Sequence, residues 1–163
     1  HRECIMEKIS IEPSKIHEKF IKLSRKYETL LVEGIGGLLV PLWENYLVID
    51  LVREFNFPLI IVTRPNLGTI NHTLLSLESA KNRGLKVHGI VVNEKKKIKD
   101  RGINIKSLAI LKNYSTSPLI GRLPYLPQLS SNSFNAKVFN DLEDYLPFKA
   151  FSMLQSNTIK ARE

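Results

Sequence analysis

A carboxylate stands at Glu33, directly after the apolar run 29–32 and directly before Gly34-Ile35-Gly36-Gly37. Glycines let backbone N–H groups approach an anion closely, and a carboxylate at a strand end can hold Mg²⁺ directly or through water. The pattern therefore favours a site for a phosphate and its metal ion. A turn that carries a solvated glutamate has the same spacing, so the pattern alone leaves both interpretations open.

A second candidate anion site begins at Gly68, where Gly68-Thr69-Ile70-Asn71 opens a predicted helix. The first N–H groups of a helix have no partner within it, and they favour a negatively charged ligand. Simple capping of the helix by Thr69 or Asn71 is the alternative. His72 has no His or Cys at metal-ligand spacing, which favours a packed or exposed histidine over a metal ligand.

Asn93 follows a third apolar run, 87–92. Its side-chain amide offers one acceptor and two donors, a set that suits the edge of a purine base. An ordinary turn asparagine is equally consistent with this position.

These candidates are positioned by short apolar runs that alternate with amphipathic segments. Strands are predicted within residues 29–32, 58–63, 87–92 and 119–121. Helices are predicted from Pro13-Ser14 through Leu23, within Val48–Phe55, from Ile70 to a stop at Gly84, and around Ile105–Leu111. Apolar strands separated by helices are typical of an α/β fold whose parallel sheet is covered on both faces. Ligands of such sheets bind outside the carboxyl ends of the strands, where the candidates lie.

The length of 163 residues predicts one domain, residues 1–146, including a short helix from Lys137 to Leu146 and followed by a loose tail, 147–163. With 43% hydrophobic and 25% charged residues, the composition is that of a globular chain. No apolar stretch approaches the roughly 18 residues that a membrane helix needs. One cysteine, Cys4, excludes an internal disulfide and a Cys-based zinc site.

The net charge is +8, and five of the basic residues lie in one predicted loop: Lys95, Lys96, Lys97, Lys99 and Arg101. A basic chain can bind nucleic acid, but this sequence has no basic stripe interleaved with aromatic residues. A solvated loop is the favoured interpretation, and an anionic ligand such as a polyphosphate is the alternative.

Four blocks of this sequence stand out: LVEGIGGLLVPL at 31–42, LGTINHTLL at 67–75, VVN at 91–93 and GRLPYL at 121–126. Together they resemble dethiobiotin synthetases, in the order and at separations typical of that family. The resemblance extends over about residues 16–129, and the first two blocks are specific when they occur together.

The resemblance implies a P-loop NTPase-like fold and an ATP- and Mg²⁺-dependent ligase of biotin biosynthesis. Such an enzyme carboxylates 7,8-diaminononanoate with CO₂ and closes the ring to dethiobiotin, through a carbamate and a carbamic–phosphoric anhydride. It further implies a cytoplasmic homodimer, with neither nucleic acid nor membrane as a partner.

The resemblance also assigns roles to individual residues. Glu33 would be the catalytic residue and would bind Mg²⁺. The residues implied for ATP are Glu33, Gly34, Ile35, Gly36, Asn93, Glu94, Pro124, Tyr125 and Leu126. The residues implied for the diamine are Gly36, Gly68, Thr69 and Asn71, with the substrate carboxylate at the helix N-terminus across the dimer interface.

One family feature is absent from these residues. The phosphate-loop pattern G-x-x-x-x-G-K-[ST] does not occur in the 163 residues. We therefore expect the first strand, the phosphate loop and the catalytic lysine to precede His1 in a longer protein, and the 163 residues alone to be inactive. A nucleotide-binding or dimerisation module that has lost its phosphate loop is the alternative.

Overall fold

A computed structural model describes residues 12–95, 101–127, 142 and 144–146; for residues 101–107 it describes the backbone only. The chain divides between Phe57 and Pro58 into two compact units. The expectation of a single domain over residues 1–146, with a tail after it, stays a prediction.

The first unit contains two helices and a small hairpin. Its elements are α1 (Pro13–Lys26), β1 (Pro41–Trp43), β2 (Tyr46–Leu47) and α2 (Val48–Phe55). Pro13 is the first residue of α1, where its fixed φ suits a helix start and its missing N–H costs no bond. The predicted helices at these two places are confirmed, although no side chain caps α1 at Glu12.

Aromatic side chains join α1 to the end of α2. The rings of Phe20 and Phe55 stack with centroids 3.8 Å apart, and Phe57 meets Phe20 edge-on at 5.2 Å. Ile49 is fully buried, and Val48 and Phe55 are each 6% exposed. Burying such side chains contributes about 1.5–3 kcal/mol each, so this cluster forms the core of the unit.

The strand predicted within residues 29–32 is wrong, because these residues form no strand. Leu31 is 92% exposed and Val32 is 50% exposed. A strand exists only where a neighbour completes its hydrogen-bond ladder. Among the described residues, the pairing partners of β1 and β2 are each other, and no strand pairs with 29–32.

The hairpin β1–β2 was not foreseen from the sequence. Its strands are antiparallel, and Glu44 at the turn adopts a positive φ of 37°. Hairpin turns of this kind are signalled in a sequence mainly by glycine, which the segment Glu44-Asn45 lacks.

The second unit is a parallel α/β layer. Its elements are β3 (Leu59–Thr63), α3 (Thr69–Asn82), β4 (Val87–Asn93), α4 (Arg101–Tyr114) and β5 (Leu119–Leu123). The three strands are parallel and lie in the order β3-β4-β5. The α/β prediction and the elements predicted here are confirmed, including the stop of α3 before Gly84, whose φ is +70°.

The central strand β4 forms the core of this unit. Residues 89–92 are buried in succession, with Ile90 1% and Val92 0% exposed. Successive side chains of a strand point to opposite faces, so both faces of β4 are covered, as predicted. Helix α3 packs against β3, β4 and α4.

Two predictions fall largely outside the described residues. The basic loop is described only at Lys95, which is exposed, and for the backbone of Arg101. The short helix from Lys137 to Leu146 is described only at residues 142 and 144–146.

Candidate functional site

Glu33 lies in the first unit in an exposed segment without regular structure. Gly36 has a φ of +76°, and a Cβ added there would lie 2.9 Å from Cγ2 of Val40. A Cβ on Gly34 would lie 3.2 Å from Cγ1 of Val48. Both glycines are therefore held close to neighbouring side chains, and the segment between Glu33 and Gly37 keeps its backbone exposed. Ile35 between them is 78% exposed.

A depression of about 270 Å³ lies in the second unit between the end of β3 and the first turns of α3. Its lining is rich in groups that bind anions. The polar residues that line it are Thr63, Arg64, Asn66, Thr69, His72, Thr73 and Ser76. Hydroxyl donors with one guanidinium and one imidazole suit a carboxylate or a phosphate oxygen.

Three threonine hydroxyls meet at the floor of this depression. The Thr63 oxygen lies 2.7 Å from that of Thr69 and 2.8 Å from that of Thr73. Thr69 is 6% exposed and Thr73 is 2% exposed. Two hydrogen bonds use two of the three hydroxyl hydrogens, which leaves one donor of the cluster for another acceptor.

The residue that precedes α3 is Gly68, which has a φ of +86°. No side chain caps this end of the helix. The alternative in which Thr69 or Asn71 caps the helix is therefore wrong. The first helical bond runs from the His72 N–H to the Gly68 carbonyl at 3.0 Å. The N–H groups of Ile70 and Asn71 precede it and have no partner inside the helix.

His72 and Asn71 occupy different places on this first turn. The His72 ring lies over Gly68, where an added Cβ would be 3.3 Å from Cε1. His72 also lines the depression, as does Thr69, whereas Asn71 is exposed and does not line it.

Asn93 is the last residue of β4 and pairs in register with Leu123 of β5. It is therefore a strand residue and not the turn asparagine of the alternative interpretation. Pro124 and Leu126 follow β5 half-buried, and Tyr125 is 38% exposed. The parallel pairing places Asn93 and the segment 124–126 at the same edge of the sheet.

Glu94 turns its carboxylate to Arg122. Nε and Nη2 of Arg122 lie 2.7 Å and 2.6 Å from Oε1 of Glu94. The carboxylate predicted to contact a nucleotide is thus engaged by a guanidinium of the neighbouring strand.

A protein-family model described as an AAA domain matches residues 3–133. The chain belongs to this AAA domain family. The expected α/β fold of P-loop type is confirmed by this match together with the parallel sheet.

Individual relatives confirm the resemblance to dethiobiotin synthetases. The chain is 37% identical to the ATP-dependent dethiobiotin synthetase BioD of Thermodesulfovibrio yellowstonii, over 85% of this chain and 60% of the relative. It is 39% identical to the protein of the same name from Bacillus velezensis, over 80% of this chain and 55% of the relative. The protein of the same name from Endomicrobium trichonymphae is 43% identical, over 64% of this chain and 49% of the relative. The chain thus spans about half to three fifths of the length of these relatives.

The exposed carboxylate of Glu33 is a chemically suitable ligand for a magnesium ion. Mg²⁺ is commonly held by one or two carboxylates together with substrate phosphates, and an exposed carboxylate beside accessible backbone suits that arrangement. In the described part of the chain, no group of three or more His, Cys, Asp or Glu side chains could hold a metal ion.

A further polar cluster in the first unit escaped the sequence analysis. Oε2 of Glu54 lies 2.5 Å from both Nε2 of His17 and the hydroxyl of Tyr46, which donates to it. Burial, and then the bond to Glu54, raises the pKa of Tyr46 above its ordinary range. His17 is 37 residues from Glu54, and Tyr46 lies eight residues before it on another element, so no local pattern could have revealed the cluster.

The described helices of this chain include none that is both long and apolar enough to span a membrane.

Proposed function

We propose that the protein acts in ATP-dependent synthesis of dethiobiotin, as a cyclo-ligase that joins 7,8-diaminononanoate and CO₂. The observation that carries the proposal is the similarity to three relatives named ATP-dependent dethiobiotin synthetase, over 64–85% of this chain. The exposed Glu33 segment and the polar depression at the start of α3 are consistent with the anionic ligands of such a reaction.

The proposed reaction has three steps. One amine of the diamine attacks CO₂ and forms a carbamate, with loss of a proton. A carbamate oxygen attacks the γ-phosphorus of ATP, which forms the carbamic–phosphoric anhydride and releases ADP. The second amine attacks the carbonyl carbon and loses a proton, which closes the cyclic urea and releases phosphate.

In the second unit, the start of α3 would hold the carboxylate of the diamine. The N–H groups of Ile70 and Asn71 and the Thr69 hydroxyl are donors at this place, and the helix dipole favours a negative charge there. Gly68 suits this place because it adopts a positive φ without strain and leaves the helix N-terminus without a side-chain cap. In a homodimer, we propose that this carboxylate belongs to substrate bound by the other subunit.

At the carboxyl ends of β4 and β5, we assign the adenine base to Asn93. Its amide can donate to one base nitrogen and accept from the exocyclic amine. Glu94 and the segment Pro124, Tyr125 and Leu126 would border the base. This part of the proposal depends on the register that pairs Asn93 with Leu123.

In the first unit, Glu33 would hold Mg²⁺ and Gly34, Ile35 and Gly36 would face the phosphates through their backbone. When bound, the metal ion supplies positive charge against the transferring phosphoryl group. The residues of this segment orient the phosphates; Gly36 would also border the diamine. We place the enzyme in the cytoplasm.

The test uses the complete protein that the gene encodes. Purified protein is incubated with 7,8-diaminononanoate, bicarbonate and MgATP, and dethiobiotin and ADP are measured together. We expect both products in equal amounts and no ADP release without the diamine. ATP binding without either product would contradict the ligase and favour a non-catalytic nucleotide-binding or dimerisation module.

A further inference from the structure

The ion pair between Glu94 and Arg122 joins the two segments to which the base is assigned. Glu94 directly follows Asn93, and Arg122 stands two residues before Pro124. The Glu94 side chain is 8% exposed and that of Arg122 is 36% exposed. The carboxylate is therefore nearly removed from solvent, whereas the guanidinium is only partly covered.

Main-chain bonds hold the same two segments beside the ion pair. The Glu94 N–H donates to the Leu123 carbonyl at 2.9 Å, one residue beyond the last pair of the ladder. On the other side, the Arg122 N–H donates to the Tyr145 carbonyl at 3.2 Å. Arg122 is thus fixed at its backbone by one neighbour and at its guanidinium by Glu94.

We infer that Arg122 is a positioning residue for the nucleotide base, and that Glu94, which borders the base, acts with its carboxylate through Arg122. This inference rests on the proposed function. The guanidinium offers donors in a rigid fork, and two of them meet one carboxylate oxygen, so the pair limits movement of both side chains. The pair sets the distance between the Asn93 amide and the segment 124–126 that would border the base.

The negative charge of Glu94 is a second reason why its carboxylate pairs with Arg122. An unpaired carboxylate next to Asn93 would repel a polyphosphate ligand, and burying it alone is strongly unfavourable. Arg122 compensates both effects. If Arg122 is removed, the nearly buried Glu94 carboxylate is left unpaired, and its movement toward solvent would displace the adjacent Asn93. If Glu94 loses its charge, the Arg122 guanidinium loses the partner that holds it.

The experiment measures base selectivity in the complete protein. Dissociation constants for ATP and GTP are obtained by competition against a fluorescent ATP analogue carrying a methylanthraniloyl group, and thermal unfolding is recorded in parallel. The variants are Arg122→Gln, Arg122→Lys, Glu94→Gln and the double variant Glu94→Gln/Arg122→Gln. Lys15→Gln is the matched control, because it breaks an exposed ion pair of 2.9 Å with Glu12 in the first unit.

We expect Arg122→Gln and Glu94→Gln each to lower the preference for ATP over GTP at least tenfold. Arg122→Lys should retain part of it, and the double variant should be no worse than the worse single one, because the two residues act as a unit. Lys15→Gln should leave the preference unchanged.

Three results would overturn the inference in distinguishable ways. If the unmodified protein does not bind ATP, the proposed function fails together with the inference. If it binds ATP and the preference in Glu94→Gln and Arg122→Lys stays within twofold of the unmodified protein, only the inference fails, even where the unfolding temperature falls. If Arg122→Gln does not fold, those two variants still decide the question. An effect in Lys15→Gln equal to that in Glu94→Gln would likewise exclude a specific role.

Discussion

The hydroxyl oxygen of Thr63 lies 2.7 Å from that of Thr69, which ties the end of β3 to the first turn of α3. The same Thr63 oxygen contacts Thr73, one helical turn farther along. A single side chain at a strand end thus positions two neighbouring residues on one helix face. Because Thr69 carries a proposed role in binding the substrate carboxylate, this contact affects both stability and binding.

Thr63→Val is expected to destabilise the protein by about 1–3 kcal/mol. Valine keeps the shape but leaves the hydroxyl of Thr73, 2% exposed, without its partner. Urea unfolding measures the change. Thr63→Ser should retain most of the stability, and Thr29→Val, at an exposed position, should have little effect. Equal stability of the valine and serine variants would contradict the assigned hydrogen bonds.

The second prediction concerns alkaline pH. Burial and the Glu54 carboxylate raise the pKa of Tyr46, whose ordinary value is about 10. The folded state therefore holds this proton more tightly than the unfolded state. The resulting stabilisation is complete below about pH 10 and is lost as the pH rises through the raised pKa of the folded protein.

Ultraviolet absorbance of the phenolate provides the measurement. The chain has five tyrosines, and Tyr46→Phe should remove the last step of the titration. Glu54→Gln should move that step toward lower pH, by part of the shift only, since burial is the larger cause. Glu18→Gln on the exposed side of α1 should leave it in place. If Tyr46→Phe instead removes a titration step at the ordinary pKa of tyrosine, the pKa of Tyr46 is not raised in the folded protein.

Local sequence patterns predicted the elements of the second unit because each apolar run there has a neighbouring strand with which it pairs. The apolar run of β4 and the i, i+4 spacing of Thr69 and Thr73 can be read from the sequence. The partner of those threonines could not, since Thr63 reaches them only after β3 and α3 pack. In the same way, Glu94 and Arg122 are 28 residues apart and meet only through the register of β4 and β5.

The apolar run at 29–32 shows the opposite case. Its composition suits a strand, because Leu30, Leu31 and Val32 are consecutive apolar residues. Composition cannot supply a pairing partner, and in the described part of the chain none pairs with it. Glu33 after this run is exposed, which agrees with both interpretations, because a solvated glutamate and a carboxylate that shares Mg²⁺ with substrate phosphates are each open to solvent.

Glu33→Gln in the complete protein should lower turnover on the order of 100-fold, the scale of losing one charge-stabilising group at a reacting centre. Glutamine keeps the shape but removes the charge that binds Mg²⁺. The Mg²⁺ concentration for half-maximal rate should rise, while the unfolding temperature stays constant because the side chain is exposed. Glu28→Gln, also exposed in the first unit, serves as the control. Unchanged turnover at limiting Mg²⁺ would remove Glu33 from the metal site.

Asn93→Ala tests the residue assigned to adenine. If the amide hydrogen-bonds the base, its loss should weaken ATP binding by about 1–3 kcal/mol, which is roughly 5- to 150-fold in the dissociation constant. The N–H and carbonyl of residue 93 remain in the ladder with β5, so the fold should persist. Calorimetric titration with ATP and with GTP measures the effect, and Asn113→Ala, exposed on α4, is the matched control. Weaker ATP binding with unchanged GTP binding assigns the amide to the adenine edge. Equal weakening for both nucleotides would instead mean that Asn93 contributes through the shape of the sheet edge.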